Sequence, residues 1–265
     1  MILDGRAIAD ELFRELLTRR DAIGQKITLG IIVVGVNPVI ESFVRIKSRE
    51  AEKLRVEVVR VDLEKTATTE AVIKAVGELS SRTDAVIVQL PLPKHIDTDA
   101  VLAAIPKEKD VDAINPTIPD DEHPVFAPVA LAVVEMLGRG GIGIEGKKAV
   151  VVGAGRLVGK PSAALLRRLG AEVSMFTLEE GSIEDLKTAD IIVCGAGNPG
   201  FIKPEHIQTG VAIIDAGASE QAGVIKGDAD PACAEKALVF TPVPGGVGPV
   251  AVAMIFKNLL DLGEN

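Results

Sequence analysis

A chain of 265 residues, 47% of them hydrophobic, is long enough for one large domain or two modest ones and can bury a sizeable core. Its formal charge of −9, with no basic stretch to offset it, argues against nucleic acid or an anionic membrane surface as a partner. The first residues carry no signal-peptide pattern, no apolar run is long enough to span a bilayer, and Cys194 and Cys233 lie far apart without CxxC or Cys/His spacing. The expectation is a cytoplasmic protein with two buried thiols and no metal site.

Apolar strand-like runs fall at 28–34, 56–62, 84–90, 148–152, 171–176, 190–194, 211–215 and 237–240. Helical patterns lie between them at 5–22, 38–54, 68–80, 97–104, 127–138, 159–169 and 182–187, and a last helix is expected at 249–262. Buried strands separated by helices predict an α/β chain with parallel sheets. The Pro- and Asp-rich segment 115–126 reads as a crossing between domains. The expected division is a first domain over 1–118, completed by the C-terminal helix 249–265, and a second, Rossmann-type domain over 119–248. A cleft between two such domains is the default place for a cofactor and a substrate to meet.

In the first domain, Asn37-Pro38 is a helix start with Asn as N-cap and Pro in the first turn. On that helix Ile40, Phe43, Val44, Lys47, Ala51 and Leu54 share one face, so Lys47 sits on an apolar stripe. Such a lysine either snorkels to solvent or is an amine held partly dry, with a lowered pKa suited to proton transfer near neutrality. The strand at 84–90 runs into Val88-Gln89-Leu90-Pro91-Leu92-Pro93, which puts Gln89 at a carboxyl end, where open α/β sheets hold ligands. Lys109-Asp110-Val111-Asp112 reads either as a solvated turn or as part of that site. His95, His123 and His206 are scattered beside polar residues and prolines and are expected at the surface.

In the second domain, Lys148-Ala-Val-Val-Val-Gly153-Ala-Gly155-Arg-Leu-Val-Gly159-Lys-Pro161 is an apolar strand ending in spaced glycines, followed by an amphipathic stretch. The G-x-G-x-x-x-G spacing fits either a tight turn without a ligand or one that holds a dinucleotide pyrophosphate at a helix N-terminus.

VQLPLP at 88–93, KDVD at 109–112 and TPVPGGVGP at 241–249, with ILDGRAIA at 2–9 and the glycine turn, resemble the methylenetetrahydrofolate dehydrogenase/cyclohydrolases from end to end. The resemblance implies hydride transfer from 5,10-methylenetetrahydrofolate to a nicotinamide cofactor, then hydrolysis of the methenyl product to 10-formyltetrahydrofolate. It implies a homodimer as well. Lys47 matches the family's catalytic lysine, Gln89 the glutamine that bonds it, and Asp112 the carboxylate that anchors the pterin. Phe43, Val44, Leu90, Pro91, Pro244, Gly245, Gly246 and Pro249 match substrate-lining positions. Gly153, Ala154, Gly155, Arg156, Leu157, Val158, Gly159, Thr177, Glu179, Gly197 and Asn198 match cofactor-lining ones.

The departures from the family pattern carry expectations of their own. Phe43 stands where the family has tyrosine, and the chain has no tyrosine at all. Hydride transfer tolerates that loss, whereas water attack depends on proton handling around Lys47, so a weakened cyclohydrolase is expected. Ala154 and Gly155 replace an arginine and a serine that help hold NADP. Glu179 and Glu180 stand past the next strand, where an acidic residue suits a ribose 2′-hydroxyl and repels a 2′-phosphate. NAD is therefore the expected cofactor, with Arg156 and Lys160 leaving NADP open. The alternatives are another reduced pterin or small substrate, or a non-catalytic paralogue that binds folate or nucleotide.

Overall fold

The computed structural model describes residues 1–264 apart from 36, 178, 222 and 223. Its chain divides into two compact units, one of residues 1–11 and 127–254, the other of residues 12–126 and 255–265. This differs from the division expected from sequence. The first eleven residues belong with the later unit, and the C-terminal helix is shared between the two. The reason is a contact between distant parts of the chain: a bridge pairs Ile2 with Phe240, and Leu3 N–H donates to the Phe240 carbonyl at 3.0 Å.

Helix α1 (Gly5–Ile23) runs from the first unit into that of residues 12–126, where it leads into β1 (Thr28–Val34), α2 (Pro38–Lys53), β2 (Glu57–Leu63), α3 (Thr69–Ser80), β3 (Ala85–Val88) and α4 (Thr98–Ala103). The strands form a three-stranded parallel sheet in the order β2-β1-β3. β1 and β3 are almost wholly buried, as their unbroken apolar sequences require. Ile32, Val34, Val86 and Val88 pack with Val72, Val76 and Leu79 of α3 and Val101 and Leu102 of α4. The start of α2 is as the sequence predicts: Asn37 Oδ1 accepts from Val39 N–H at 2.9 Å, with Pro38 in the first turn. The third strand ends at Val88, two residues earlier than expected, because Pro91 has no N–H to extend the ladder. Gln89 N–H still donates to the Ile32 carbonyl at 2.9 Å, so Gln89 leaves the sheet in register.

In the unit of residues 127–254, α5 (Pro128–Arg139) precedes β4 (Lys148–Val152), α6 (Gly159–Arg168), β5 (Glu172–Phe176), β6 (Ile191–Cys194) and β7 (Ala212–Asp215). A hairpin of β8 (Ser219–Gln221) and β9 (Val224–Lys226), then β10 (Val239–Phe240) and α7 (Val247–Glu264), complete the chain. Five strands form a parallel sheet in the order β10-β7-β6-β4-β5. Chain order reverses between β4 and β6, and that is the position at which doubly wound sheets open a ligand crevice. Residues 183–188 form a 3₁₀ turn in place of the expected helix, held by a reciprocal capping box between Ser182 and Asp185. The hairpin has no strong sequence signal and was not expected. Cys194 and Cys233 are buried free thiols, as expected. Among the described residues, no helix is long and apolar enough to cross a membrane.

A buried asparagine of α7 ties its unit together. Asn258 Nδ2 donates to the carbonyls of Val111 at 2.9 Å and Phe126 at 2.7 Å. Replacing it with leucine orphans two carbonyls, at about 1–3 kcal/mol for each group left unsatisfied. Asn258→Leu is expected to lower the urea midpoint and to speed hydrogen exchange at the amides of Ile114 and Asn115, in the loop that follows Val111.

Candidate active site

Three elements of the first sheet unit converge on one amine. Lys47 projects from α2, three residues past the buried Val44, and its Nζ donates to Gln89 Oε1 at 2.7 Å. Gln89 is buried, and its Nε2 donates to the Leu90 carbonyl at 3.0 Å. That second bond fixes the amide orientation, so the carbonyl oxygen and not the NH₂ faces the lysine. Burial lowers the Lys47 pKa, and the Asp112 carboxylate opposes that shift by favouring the ammonium. Asp112 responds in turn: burial raises its carboxyl to about 6, the Lys47 charge pulls it down, and Asp110 pushes it up. The lysine is therefore the partly dry amine and not the snorkelling one.

The loop that carries Asp112 is stapled on both sides. Lys109 Nζ donates to the carbonyls of Ser80 at 2.6 Å and Thr83 at 2.5 Å, closing the C-terminal end of α3. Asp110 is fully buried, and its Oδ2 accepts from the amides of Ile114 and Asn115, both at 2.8 Å. The solvated-turn reading of this segment is thereby excluded. Of the pair, Asp110 shapes the loop and Asp112 is the carboxylate near the amine. The expectation of a surface His123 is also corrected. Its side chain is 5% exposed, with Nδ1 3.8 Å from Asp110 Oδ2, because the 115–126 crossing folds back over Asp110. His95 is exposed, as expected, with Nε2 3.0 Å from the Ala67 carbonyl.

Around this centre, Phe43 presents an exposed ring (46%) one turn before Lys47, Leu90 is half-buried and Pro91 exposed. Val44 lies beneath them in the core.

The other unit builds the dinucleotide-type crevice. Gly153 ends β4 at φ +92°, and a Cβ there would stand 2.6 Å from the Gly195 carbonyl oxygen and 2.8 Å from Ala196. A Cβ on Gly159 would collide with the Gly153 carbonyl. These glycines let the turn after β4 close against the loop after β6. Val158 supplies no side-chain cap to α6; in its first turn Lys160 N–H donates to the Gly155 carbonyl at 3.1 Å and Pro161 has no N–H, while Ala154, Gly155, Arg156 and Leu157 stand exposed on the turn at the positive end of the helix. These residues fit a dinucleotide pyrophosphate. Gly197 and Asn198 are exposed beyond β6. After β5, Thr177 Oγ1 accepts from the amides of Glu179 and Glu180, both at 3.1 Å, in a turn that leaves both glutamates exposed. Pro244, Gly245, Gly246 and Pro249 also belong to this unit, on the segment that enters α7, where Gly246 packs against Gly5 so closely that no Cβ fits there. Among the described residues, no group of three His, Cys, Asp or Glu side chains could hold a metal ion. Sequence reasoning assigned no role to Asp228, whose carboxylate organises the loop at Gly197. The signal available was an acidic residue between two small ones in Gly227-Asp228-Ala229.

The Asp112 carboxyl has a stability signature. Because its pKa rises from 3.8 to about 6 on folding, the folded protein holds that proton more tightly than the unfolded chain does. Its contribution favours folding below pH 3.8 and is lost as the pH rises through about 6. Asp112→Asn is expected to remove this slope, so that its urea midpoint gains on the wild type between those pH values.

The family models match the two parts of the chain separately, with their division at the same 112–127 crossing. Residues 3–112 match the model of the tetrahydrofolate dehydrogenase/cyclohydrolase catalytic domain, and residues 127–265 that of the NAD(P)-binding domain. The bifunctional protein FolD of Halothermothrix orenii is 37% identical over 274 residues, covering 97% of this chain and 95% of its own. That of Thermus thermophilus is 35% identical, over 98% and 95%. The crystal structure of FolD from Campylobacter jejuni superposes with a TM-score of 0.94 at 30% identity, over 100% of this chain and 99% of that one. The Trypanosoma brucei enzyme, complexed with NADP and an inhibitor, gives 0.94 at 32%, over 100% and 97%. The chain belongs to the tetrahydrofolate dehydrogenase/cyclohydrolase family.

Proposed function

We propose that this protein oxidises 5,10-methylenetetrahydrofolate to the 5,10-methenyl form by hydride transfer to a nicotinamide cofactor, and that it hydrolyses the methenyl product to 10-formyltetrahydrofolate only weakly. The observation that carries the reading is the half-buried Lys47 amine donating to Gln89 Oε1 at 2.7 Å beside the Asp112 carboxylate. In this reading the unit of residues 12–126 binds the folate and the sheet unit of residues 127–254 binds the cofactor.

Asp112 accepts hydrogen bonds from the pterin ring and Phe43 packs on the folate. A nicotinamide cofactor held at the glycine turn of Gly153–Gly159 would supply the hydride acceptor, and loss of the hydride would leave the one-carbon unit as a delocalised cation. A fully charged ammonium beside that cation would oppose its formation. Desolvation, which lowers the Lys47 pKa, reduces the opposition. Hydrolysis asks for more. Water adds to the methenyl carbon, one proton leaves, and the C–N bond to ring nitrogen N5 breaks as that nitrogen takes up a proton, yielding the 10-formyl product. Lys47, oriented by Gln89, is the group that moves protons here. A tyrosine hydroxyl at position 43 would hold that amine and the attacking water in line, and a phenylalanine ring cannot.

For the cofactor, the exposed glutamates at 179 and 180 support NAD, because a 2′-phosphate would meet like charge at the end of β5. Arg156 and Lys160, both exposed at the glycine turn, are the residues that favour NADP. A homodimer in the cytoplasm is the proposed form. The two buried free thiols fit a reducing compartment.

The test is a spectroscopic assay with methylenetetrahydrofolate, run with NAD and with NADP, that follows both formation and decay of the methenyl product. Reduction of NAD with methenyl accumulation is expected; reduction of neither cofactor would overturn the reading. Phe43→Tyr is expected to raise methenyl hydrolysis by about tenfold or more, with the oxidation rate little changed. A wild type that already hydrolyses methenyl rapidly, with no gain from tyrosine, would remove the weakened step from the proposal. Glu179→Gln is expected to narrow the preference for NAD over NADP by roughly tenfold in kcat/KM.

A further inference from the structure

Two fully buried carboxylates in the cofactor unit have no part in the chemistry above. Asp228 is 0% exposed and Asp215, the last residue of β7, is 1% exposed. Asp228 accepts three consecutive backbone N–H groups: Ala196 at 2.7 Å and Gly197 at 3.1 Å on Oδ2, and Asn198 at 2.6 Å on Oδ1. Those amides form the loop that leaves β6 at the crevice. Asp215 in turn holds the segment that carries Asp228. Its Oδ2 accepts from Ala229 N–H at 2.8 Å and its Oδ1 from Gly217 N–H at 3.0 Å, and the backbone of Asp228 also donates to it. The Asp215 N–H donates to Thr241 Oγ1 at 2.7 Å, which anchors the first link. Glycines flank the pair by necessity. A Cβ on Gly217 would collide with the Asp228 carboxyl, and one on Gly227 with that of Asp215.

The arrangement distinguishes two amide-rich loops at one edge of the sheet. Successive backbone N–H groups that point to one spot make an anion nest. At the loop after β6 that nest is already filled by the protein's own carboxylate, whereas the N-terminus of α6 after β4 has no side-chain cap. An incoming pyrophosphate therefore has one place to go. The loop at 196–198 is left rigid and without free positive potential, suited to uncharged hydroxyls. The Ser219 hydroxyl, which donates to the Gly197 carbonyl at 3.0 Å, holds its other side.

We infer that Asp215 and Asp228 are positioning residues for the dinucleotide: a two-carboxylate relay that sets the 196–198 loop and keeps the pyrophosphate on the glycine turn. The inference rests on the cofactor reading above. The probes are NAD and tetrahydrofolate, titrated separately into the full-length protein by calorimetry, together with KM and kcat. Asp228→Asn keeps the size of the side chain but turns an NH₂ toward amides that need an acceptor. It is expected to weaken NAD binding by about ten- to a hundredfold. Tetrahydrofolate affinity and kcat at saturating NAD are expected to stay near wild type.

Asp215→Asn gives a second readout that does not require Asp228 to change. Burial, with Asp228 as a like charge, pushes the Asp215 carboxyl up to about 7. The ionisable groups that act on it are Asp228 and, from β6 and the turn at 231–235, the Cys194 and Cys233 thiols, whose pKa values are raised so that they stay neutral. Protonation weakens Asp215 as an acceptor, so wild-type NAD affinity is expected to fall as the pH drops below about 7, and Asp215→Asn to flatten that profile. If Asp228→Asn does not fold, the Asp215→Asn profile decides. Unchanged NAD affinity in the folded variants, or equal loss of NAD and tetrahydrofolate binding, overturns the relay. A wild type that binds tetrahydrofolate but no dinucleotide overturns the cofactor reading itself, and the relay with it.

Discussion

A parallel sheet ends its strands on one edge, and the loops that leave that edge carry backbone N–H groups that no ladder can satisfy. Both units meet this constraint with buried carboxylates. Asp110 gathers the amides of Ile114 and Asn115 in one, and Asp215 and Asp228 gather those at 196–198, 217 and 229 in the other. Each carboxylate gives up water for several charge-assisted hydrogen bonds, which offset the cost of its burial. Loops held this way have little freedom to drift. Asp112 owes its place beside Lys47 to Asp110, two residues earlier in the same turn.

The chemistry proposed for Lys47 and Asp112 depends on the same balance taken only part of the way. Asp110 and Asp228 have enough backbone donors to make them structural. Asp112 is left with the Lys47 ammonium as its main counter-charge, and its carboxyl is lifted to about 6 as a result. Lys47 has one fixed acceptor, Gln89, and an environment that disfavours its charge. A lysine and a carboxylate pushed toward each other in pKa can exchange roles with modest changes in charge nearby, such as a cationic methenyl group.

Much of this was legible in the sequence because the signals are local. The limits of the strand at 28–34, the capped start of α2 and the glycine turn at 153–159 follow from short-range sterics and hydrogen bonds, and the structure has all three. Placing Lys47 on an apolar stripe also needed only helical periodicity. What escaped was what long-range contacts decide. Met1–Glu11 joins the later unit because Ile2 and Leu3 pair with Phe240, more than 230 residues away in the chain. His123 is buried because the crossing folds over Asp110, which its polar neighbours in sequence do not reveal. Asp228 looks like any acidic loop residue until three amides are found pointing at it.

The substitution at position 43 bears on how one scaffold can separate two reactions. In the proposed reading, oxidation and hydrolysis share the pterin anchor at Asp112 and the amine at Lys47, so that losing either would damage both. Position 43 differs in that reading, because its ring would serve both reactions, while a phenolic hydroxyl would serve only proton movement. Phenylalanine keeps the exposed aromatic surface one turn from Lys47 and removes a single donor. Tuning hydrolysis there leaves the α2 packing intact, since Ile40, Val44 and Ala51, not Phe43, fill the core beneath the helix. A chain can thus shift toward releasing the methenyl product through one oxygen atom, without altering the sheet, the helix or the cofactor turn that the oxidation requires.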